Sequence, residues 1–172
     1  MGEFARELPR KVQQYKEGRF TCWAAALESW MSVTPQSPAS WRISTQDDAI
    51  KDYYMFMETN GALEIQWGFR FMAAGVGMEY KVCKPATKIS GSLIYNKLKT
   101  RGHIYLFYAG GMTMASGQIG HCVVIYAVTD PWSGSSSVSY MDPWYGDYRV
   151  REPLSYFQNA KEAVIGWFEY TA

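Results

Sequence analysis

The chain has 172 residues, of which 48% are hydrophobic and 19% are charged, with 17 Lys and Arg against 16 Asp and Glu. This balance excludes a disordered or strongly charged chain. A net charge of +1 gives no excess of positive charge of the kind that indicates nucleic-acid binding. No stretch reaches the roughly 18 consecutive apolar residues of a membrane span, and the polar segment 1–16 is unlike a signal peptide. The length predicts one domain over residues 1–172.

The first half of this domain, about residues 20–75, carries helical patterns of apolar residues. Three helices are predicted, over about residues 22–33, 45–60 and 62–74. Thr21 is the candidate N-cap of the first helix, because its hydroxyl can accept an unpaired backbone N–H of the first turn. The third helix is predicted to bury Leu63, Trp67 and Phe71.

The second half, about residues 76–172, has mostly strand patterns. Strands are predicted over about residues 79–83, 103–108, 121–128, 138–142, 148–150 and 163–170. One helix starts after Ser90 or Ser92 and ends at Gly102, and residues 109–120 form a loop rich in Gly, Ser and Met. A run of helices followed by a run of strands favours an α+β fold.

Only two histidines are present. His121 opens the strongest predicted strand, and a hairpin over residues 121–142 brings Asp142 beside it on the same face. An acid beside an imidazole holds the tautomer of the ring and stabilises its cation. His103 begins another strand after a glycine and is predicted to be structural.

Three cysteines are an odd number, so at least one thiol is predicted to be free. Cys22 lies at the start of the first helix, where unpaired N–H groups and the helix dipole favour the nucleophilic thiolate. Cys22, His121 and Asp142 are therefore a candidate catalytic triad. Cys83 and Cys122 are predicted to be buried, and Cys122 points away from the face that carries His121.

An oxyanion formed at the attacked carbonyl needs hydrogen-bond donors. The candidates are the backbone N–H of Cys22 and a side-chain amide just upstream, from Gln14 or Gln13. A zinc site is not predicted, because no two candidate ligands have the short spacing of structural zinc sites, and His121 and Cys122 face opposite ways. No cofactor is predicted.

Three segments carry a resemblance to a known family. They read Thr-Cys-Trp-Ala-Ala-Ala at residues 21–26, Gly-His-Cys-Val-Val-Ile at 120–125 and Tyr-Met-Asp-Pro-Trp-Tyr-Gly at 140–146. In this order they resemble the papain-like cysteine peptidases, particularly small bacterial ones that act as secreted effectors or toxins and the bacteriocin-processing peptidase domains. The resemblance covers most of residues 10–170.

The resemblance implies a papain-like fold, with the nucleophile in the helical half and His121 and Asp142 in an antiparallel sheet. It implies a cysteine peptidase or amidase that acts on a protein or peptide through a thioester. Trp23, Gly120 and Trp144 are expected at the substrate cleft, since they stand next to the triad residues in the sequence.

Several alternatives remain open. Lys16 occupies the position of the family's oxyanion glutamine, so Gln14 and Gln13 both stay candidates. The same triad supports a deamidase or an acyltransferase, and the fold can serve as a binding module without catalysis. The resemblance also allows an immunity protein as partner. Delivery by a dedicated secretion system, or activity in the cytoplasm, fits a chain without a cleaved signal peptide.

Overall fold

The computed structural model describes residues 2–15, 20–35, 43–64, 67–109, 113–114, 117–118 and 120–169. Its helices are α1 (Cys22–Met31), α2 (Gln46–Asp52), α3 (Trp67–Val76), α4 (Gly91–Thr100) and α5 (Ser155–Gln158). Its strands are β1 (Glu3–Ala5), β2 (Met78–Cys83), β3 (Ile104–Ala109), β4 (Thr113–Met114), β5 (Gly117–Gln118), β6 (His121–Thr129), β7 (Ser137–Asp142), β8 (Asp147–Pro153) and β9 (Glu162–Phe168). The described part of the chain is therefore α+β, as predicted.

Seven strands form one antiparallel sheet in the order β2-β9-β3-β6-β7-β8, and β1 also pairs with β6. The central strand β6 is buried along its length except at its two ends. It pairs with β3 on one side and with β7 on the other, and β1 pairs with the last residues of β6. Because β6 is paired with other strands on both sides, the position of its first residue at one end of the sheet is fixed.

Two apolar clusters cover the two faces of the sheet. On one face α1, α2 and α3 pack against side chains such as Tyr105 and Val124. On the other face α4 and α5 pack against side chains such as Val123 and Ile125. Strand alternation produces this division, because neighbouring residues of β6 point to opposite faces. The sheet therefore lies between two layers of helix.

Helix α1 is the central element of the first layer. Nine of its ten residues are buried, including three consecutive alanines at 24–26. A helix that is apolar on all sides is stable only when protein surrounds it. The small alanine side chains let α1 lie close against β6, which brings the start of the helix beside the start of this strand.

The third helix differs from its prediction. It begins at Trp67, and Trp67 and Phe71 are 65% and 56% exposed. The buried face consists of Phe69, Met72 and Val76 together with small residues. The prediction was wrong for Trp67 and Phe71. Apolar residues occur on several faces of this helix, so its sequence pattern fits more than one choice of buried face. Leu63 is buried as predicted, but it precedes the helix.

Other elements are shorter or longer than predicted. The second helix ends at Asp52 and is followed by a 3-10 turn at Tyr54–Phe56. Strand β8 extends to Pro153, and β1 and α5 were not predicted. Residues 113–114 pair with 117–118 inside the predicted loop 109–120, while the rest of 110–119 and Tyr170 lie outside the described residues. In the described part of the chain, no helix has the length and apolar character to cross a membrane.

Candidate active site

Cys22 is the first residue of α1, and its side chain is 6% exposed. The first N–H groups of an α-helix have no acceptor within the helix. The first intrahelical acceptor here is the carbonyl of Thr21, which accepts from Ala24 and Ala25. The backbone N–H of Cys22 therefore has no intrahelical partner and is available to a ligand.

The imidazole of His121 forms a short hydrogen bond with Asp142, with 2.6 Å between Nε2 and Oδ1. Residues Val124 and Met141 are direct partners in the β6–β7 pair. This register places His121 and Asp142 on the same face, at diagonal positions at the end of the pair. Strand pairing thus brings together two residues that are 21 positions apart in the sequence.

Asp142 is held in a tight turn between β7 and β8. Its Oδ1 also accepts the backbone N–H of Trp144 at 3.0 Å, and its carbonyl accepts the N–H groups of Tyr145 and Gly146. The Asp142 side chain is only 10% exposed, so the hydrogen bonds to its Oδ1 replace water that the carboxylate loses on folding. The turn fixes the direction in which Asp142 presents its oxygen to His121.

Hydrogen bonds of the backbone at Gln14 and at the next residue hold Gln14 at the site. Its N–H donates to the carbonyl of Pro143 at 2.9 Å, and the N–H of Tyr15 donates to the Thr21 hydroxyl at 3.0 Å. The Gln14 side chain is 6% exposed, and its Oε1 has no hydrogen-bond partner among the described residues. The adjoining Gln13 is exposed, so burial favours Gln14 of the two candidate glutamines. Lys16 lies outside the described residues.

The prediction that the Thr21 side chain caps the first helix was wrong. Thr21 precedes α1, but its side chain caps no N–H group of the helix. Its backbone dihedrals (φ −97°, ψ 19°) are not the extended ones that a capping side chain needs. The hydroxyl instead accepts from Tyr15 and ties the segment that carries Gln14 to the start of α1.

The side chains around Cys22 favour its thiolate. A hydrogen bond from Cys122 holds the pKa of Cys22 well below the usual value, and it acts together with a hydrogen bond and the charge of His121 against the opposing effect of burial. Burial lowers the pKa of His121, but its bonds to Asp142 and Cys22 outweigh this and raise that pKa to about 10. Both shifts therefore favour a thiolate beside an imidazolium over a pair of neutral groups.

Cys22, His121 and Asp142 line one cavity of about 180 Å³. Gln14 and Gly120 line the same cavity, and the rest of its wall consists of the aromatic side chains of Phe20, Tyr108, Trp144, Tyr145 and Tyr156. The ring of Tyr108 meets the ring of His121 edge-on, with 5.8 Å between the centroids. The residues Phe20, Tyr108, Tyr145 and Tyr156 were not predicted at the site.

Two of the expected cleft residues, Trp144 and Gly120, border this cavity, but Trp23 does not. Trp23 is 3% exposed, and its Nε1 donates to the carbonyl of Gly61 at 2.9 Å, so it belongs to the core behind Cys22. The position of Trp23 next to Cys22 suggested the cleft, but each successive side chain of a helix points about 100° away from the one before it.

Residue 120 has to be glycine for a steric reason, because a Cβ there would lie 2.1 Å from the ring of Phe107.

Cys122 is 1% exposed, as predicted, but its effect on the pKa of Cys22 was not predicted. Strand alternation directs Cys122 to the face that α1 covers, where it belongs to the same buried cluster as Cys22. Sequence spacing carries no signal for this effect, because it depends on how α1 docks on β6. Cys83 is fully buried in the cluster on the opposite face. His103 is also buried, and its Nε2 bonds the Glu7 carbonyl at 2.7 Å, in line with a structural role.

The opposite pKa shifts predict a characteristic pH dependence for alkylation. Because the pKa of Cys22 is lowered well below 9.0, its reaction with iodoacetamide should accelerate by much less than tenfold per pH unit between about pH 7 and about pH 9. An unperturbed thiol accelerates about tenfold per pH unit below its pKa. Cys83, whose pKa burial raises, should stay unmodified in the folded protein. A tenfold rise per unit at Cys22, measured by peptide mass spectrometry, contradicts this electrostatic description.

A glycine in the turn after Asp142 gives a second prediction. Gly146 has φ +62°, and a Cβ there would lie 2.7 Å from Cβ of Gln13. We expect Gly146→Ala to cost about 1–2 kcal/mol, to lower Tm by roughly 2–8 °C and to reduce kcat by displacing the segment that holds Gln14. Gly134→Ala is the matched control, since a Cβ there meets nothing within 4 Å. Equal Tm and kcat for the two variants exclude the proposed support of Gln14.

Comparison of the sequence with protein-family models and with curated proteins finds no match. The arrangement of the described side chains is therefore the basis for the function proposed below.

Proposed function

We propose that the protein is a thiol hydrolase in which Cys22 is the nucleophile. The observation that carries this proposal is that Cys22, His121 and Asp142 line the same cavity, with a 2.6 Å bond between the last two. Within this class we propose a papain-like cysteine peptidase, on the strength of the three sequence segments that surround these residues.

In the proposed reaction the Cys22 thiolate attacks the carbonyl carbon of a peptide bond. The oxyanion that forms accepts hydrogen bonds from the Cys22 backbone N–H and from the side-chain amide of Gln14. The Nε2–H of His121 donates to Asp142, so Nδ1 is the nitrogen directed at Cys22. From Nδ1 a proton passes to the leaving amine, and a thioester remains on Cys22.

Hydrolysis of the thioester completes the cycle. The neutral imidazole of His121 takes a proton from water, and the resulting hydroxide attacks the thioester carbonyl. Collapse of the second tetrahedral intermediate releases the carboxylic acid and restores the Cys22 thiolate beside the His121 imidazolium. Asp142 stays ionised throughout, holds the ring in place and stabilises its cation.

The shape of the cavity supports a polymeric substrate. Pockets that enclose a whole small molecule usually measure about 300–1,000 Å³, and this cavity measures about 180 Å³. It has room for one residue of a chain, and the rest of that chain would lie on the surface. The half-exposed rings of Trp144, Tyr145 and Tyr156 border the cavity and offer apolar contacts to such a chain.

A peptide library derived from a cell lysate tests the proposal without knowledge of the natural substrate. We expect new peptide termini, identified by mass spectrometry, after incubation with the protein, and none after incubation with Cys22→Ala. Conversion of glutamine to glutamate without chain cleavage would instead identify a deamidase, and transfer of an acyl group to an added amine would identify an acyltransferase. An unchanged library would contradict the proposed peptidase.

A further inference from the structure

An arginine extends the aromatic rim of the cavity that contains Cys22. Arg149 is exposed on β8, and its guanidinium carbon lies over the Tyr145 ring, 4.2 Å from the ring centre. The same ring lines the cavity and is 54% exposed, so it forms part of the rim. Arg149 therefore places a positive charge beside the surface on which a bound chain would lie.

The strand register agrees with this position of Arg149. Arg149 pairs with Tyr140 across β7 and β8, and paired residues direct their side chains to the same face of a sheet. Tyr140 belongs to the cluster that α4 and α5 cover, and α5 carries Tyr156, which also lines the cavity. The register and the ring contact thus both direct Arg149 to the side of the cavity that Tyr145 and Tyr156 border.

The guanidinium of Arg149 forms no ion pair with a carboxylate of the described residues. The other charged side chains of β8 that could neutralise it are Asp147 and Glu152. Asp147 pairs with Lys11 at 3.1 Å instead, and Glu152 is not within ion-pair distance of Arg149. A guanidinium presents five N–H donors in a rigid fork that matches a carboxylate, and the ring beneath it favours one position of the cation. The fork is therefore available to a ligand.

We propose that Arg149 is a specificity-determining residue that binds a carboxylate of the substrate chain. This inference rests on the proposed hydrolase, because it assigns a preference to the same site. The cavity of about 180 Å³ has room for one residue, so the neighbouring residues of the chain lie along the rim, where Arg149 meets them. The carboxylate belongs either to an acidic side chain near the scissile bond or to the C-terminus of the chain. Both sources present two oxygens to the fork.

Alkylation of Cys22 tests the charge of the rim without peptide cleavage. The probes are N-bromoacetyl-4-aminobutyrate, which ends in a carboxylate, and N-bromoacetyl-4-aminobutyramide, which has the same length and no charge. We expect the ratio of the two rates, anionic over neutral, to fall roughly two- to fivefold in Arg149→Gln, the range of one exposed ion pair, and further in Arg149→Glu. Added salt should reduce these differences. Equal ratios in the unmodified chain and in both variants would overturn the proposal.

Arg151→Gln is the matched control for these variants. Arg151 lies two residues further along β8 and pairs with Glu3 at 3.5 Å, and it does not line the cavity. The loss of this charge should leave the ratio of the two rates unchanged. A fall in Arg151→Gln as large as that in Arg149→Gln would show that net charge alone sets the ratio, and this result also contradicts the proposal.

The peptide library then identifies the source of the carboxylate. Cleavage sites with an acidic residue at a fixed distance indicate a side chain, and sites at a fixed distance from the end of the peptide indicate the C-terminus. Arg149→Glu should weaken either preference and retain Cys22 as the nucleophile. Cleavage with neither preference would overturn the inference and leave the proposed hydrolase standing. An unchanged library would contradict the hydrolase, while the ratio of the two alkylation rates would still decide whether Arg149 attracts a carboxylate.

Discussion

Cys22→Ala is expected to abolish peptide cleavage and to leave the fold intact. Removal of a catalytic nucleophile usually costs on the order of 10⁴-fold or more in turnover. Alanine is well tolerated at the first position of α1, where the neighbouring residues 24–26 are also alanine. We therefore expect the loss of stability to be roughly 1 kcal/mol. The number of new peptide termini and the thermal melt followed by circular dichroism measure the two effects.

Cys83→Ala is the matched control for this variant. Cys83 is also buried, but it packs on the other face of the sheet and does not line the cavity. Its removal should lower the melting temperature modestly and leave kcat unchanged. Cleavage by Cys22→Ala at the rate of the unmodified chain would show that Cys22 is not the nucleophile.

His121→Ala is expected to reduce peptide cleavage by a similar factor, on the order of 10⁴. The imidazole is the only group described beside Cys22 that can carry a proton from the thiol to the leaving amine. Its loss also removes two of the contributions that lower the pKa of Cys22, the hydrogen bond and the positive charge. We therefore expect slower alkylation of Cys22 by iodoacetamide at neutral pH, with a rate that rises as the pH is raised.

His103→Gln is the matched control for the loss of a histidine. His103 is buried just before β3, at the end of that strand opposite to the end that pairs with His121, and it bonds the carbonyl of Glu7 through Nε2, a bond that a glutamine amide can also form. This variant should lose some stability and retain both turnover and fast alkylation of Cys22. If His121→Ala keeps the alkylation profile of the unmodified chain, the ion pair between Cys22 and His121 does not exist.

Local patterns were enough to predict the parts of the site that lie on regular elements. The start of the first helix at Cys22, the strand that begins at His121 and the hairpin that leads to Asp142 all agree with the structure. Helix periodicity, strand alternation and turn residues act over a few positions, so the chain itself carries this information. The predicted nearness of His121 and Asp142 followed from this local reasoning.

Features that depend on how elements pack together were not predicted. The third helix buries Phe69 and Met72 and exposes Trp67, because the face that other parts of the chain cover decides which apolar stripe is buried. The effect of Cys122 on the pKa of Cys22 depends in the same way on the docking of α1 on β6.

The sequence by itself determined the α+β class, the order of most of the elements and the identity of the three residues proposed for catalysis, since each depends on short-range patterns. Only the tertiary structure decided that Gln14 is the buried one of two candidate glutamines, that Trp23 supports the core, and that Cys122 belongs to the same buried cluster as Cys22. These features arise where α1, the segment before it and the sheet meet. Contacts between segments distant in sequence are selected by close packing, and residue spacing alone does not encode them.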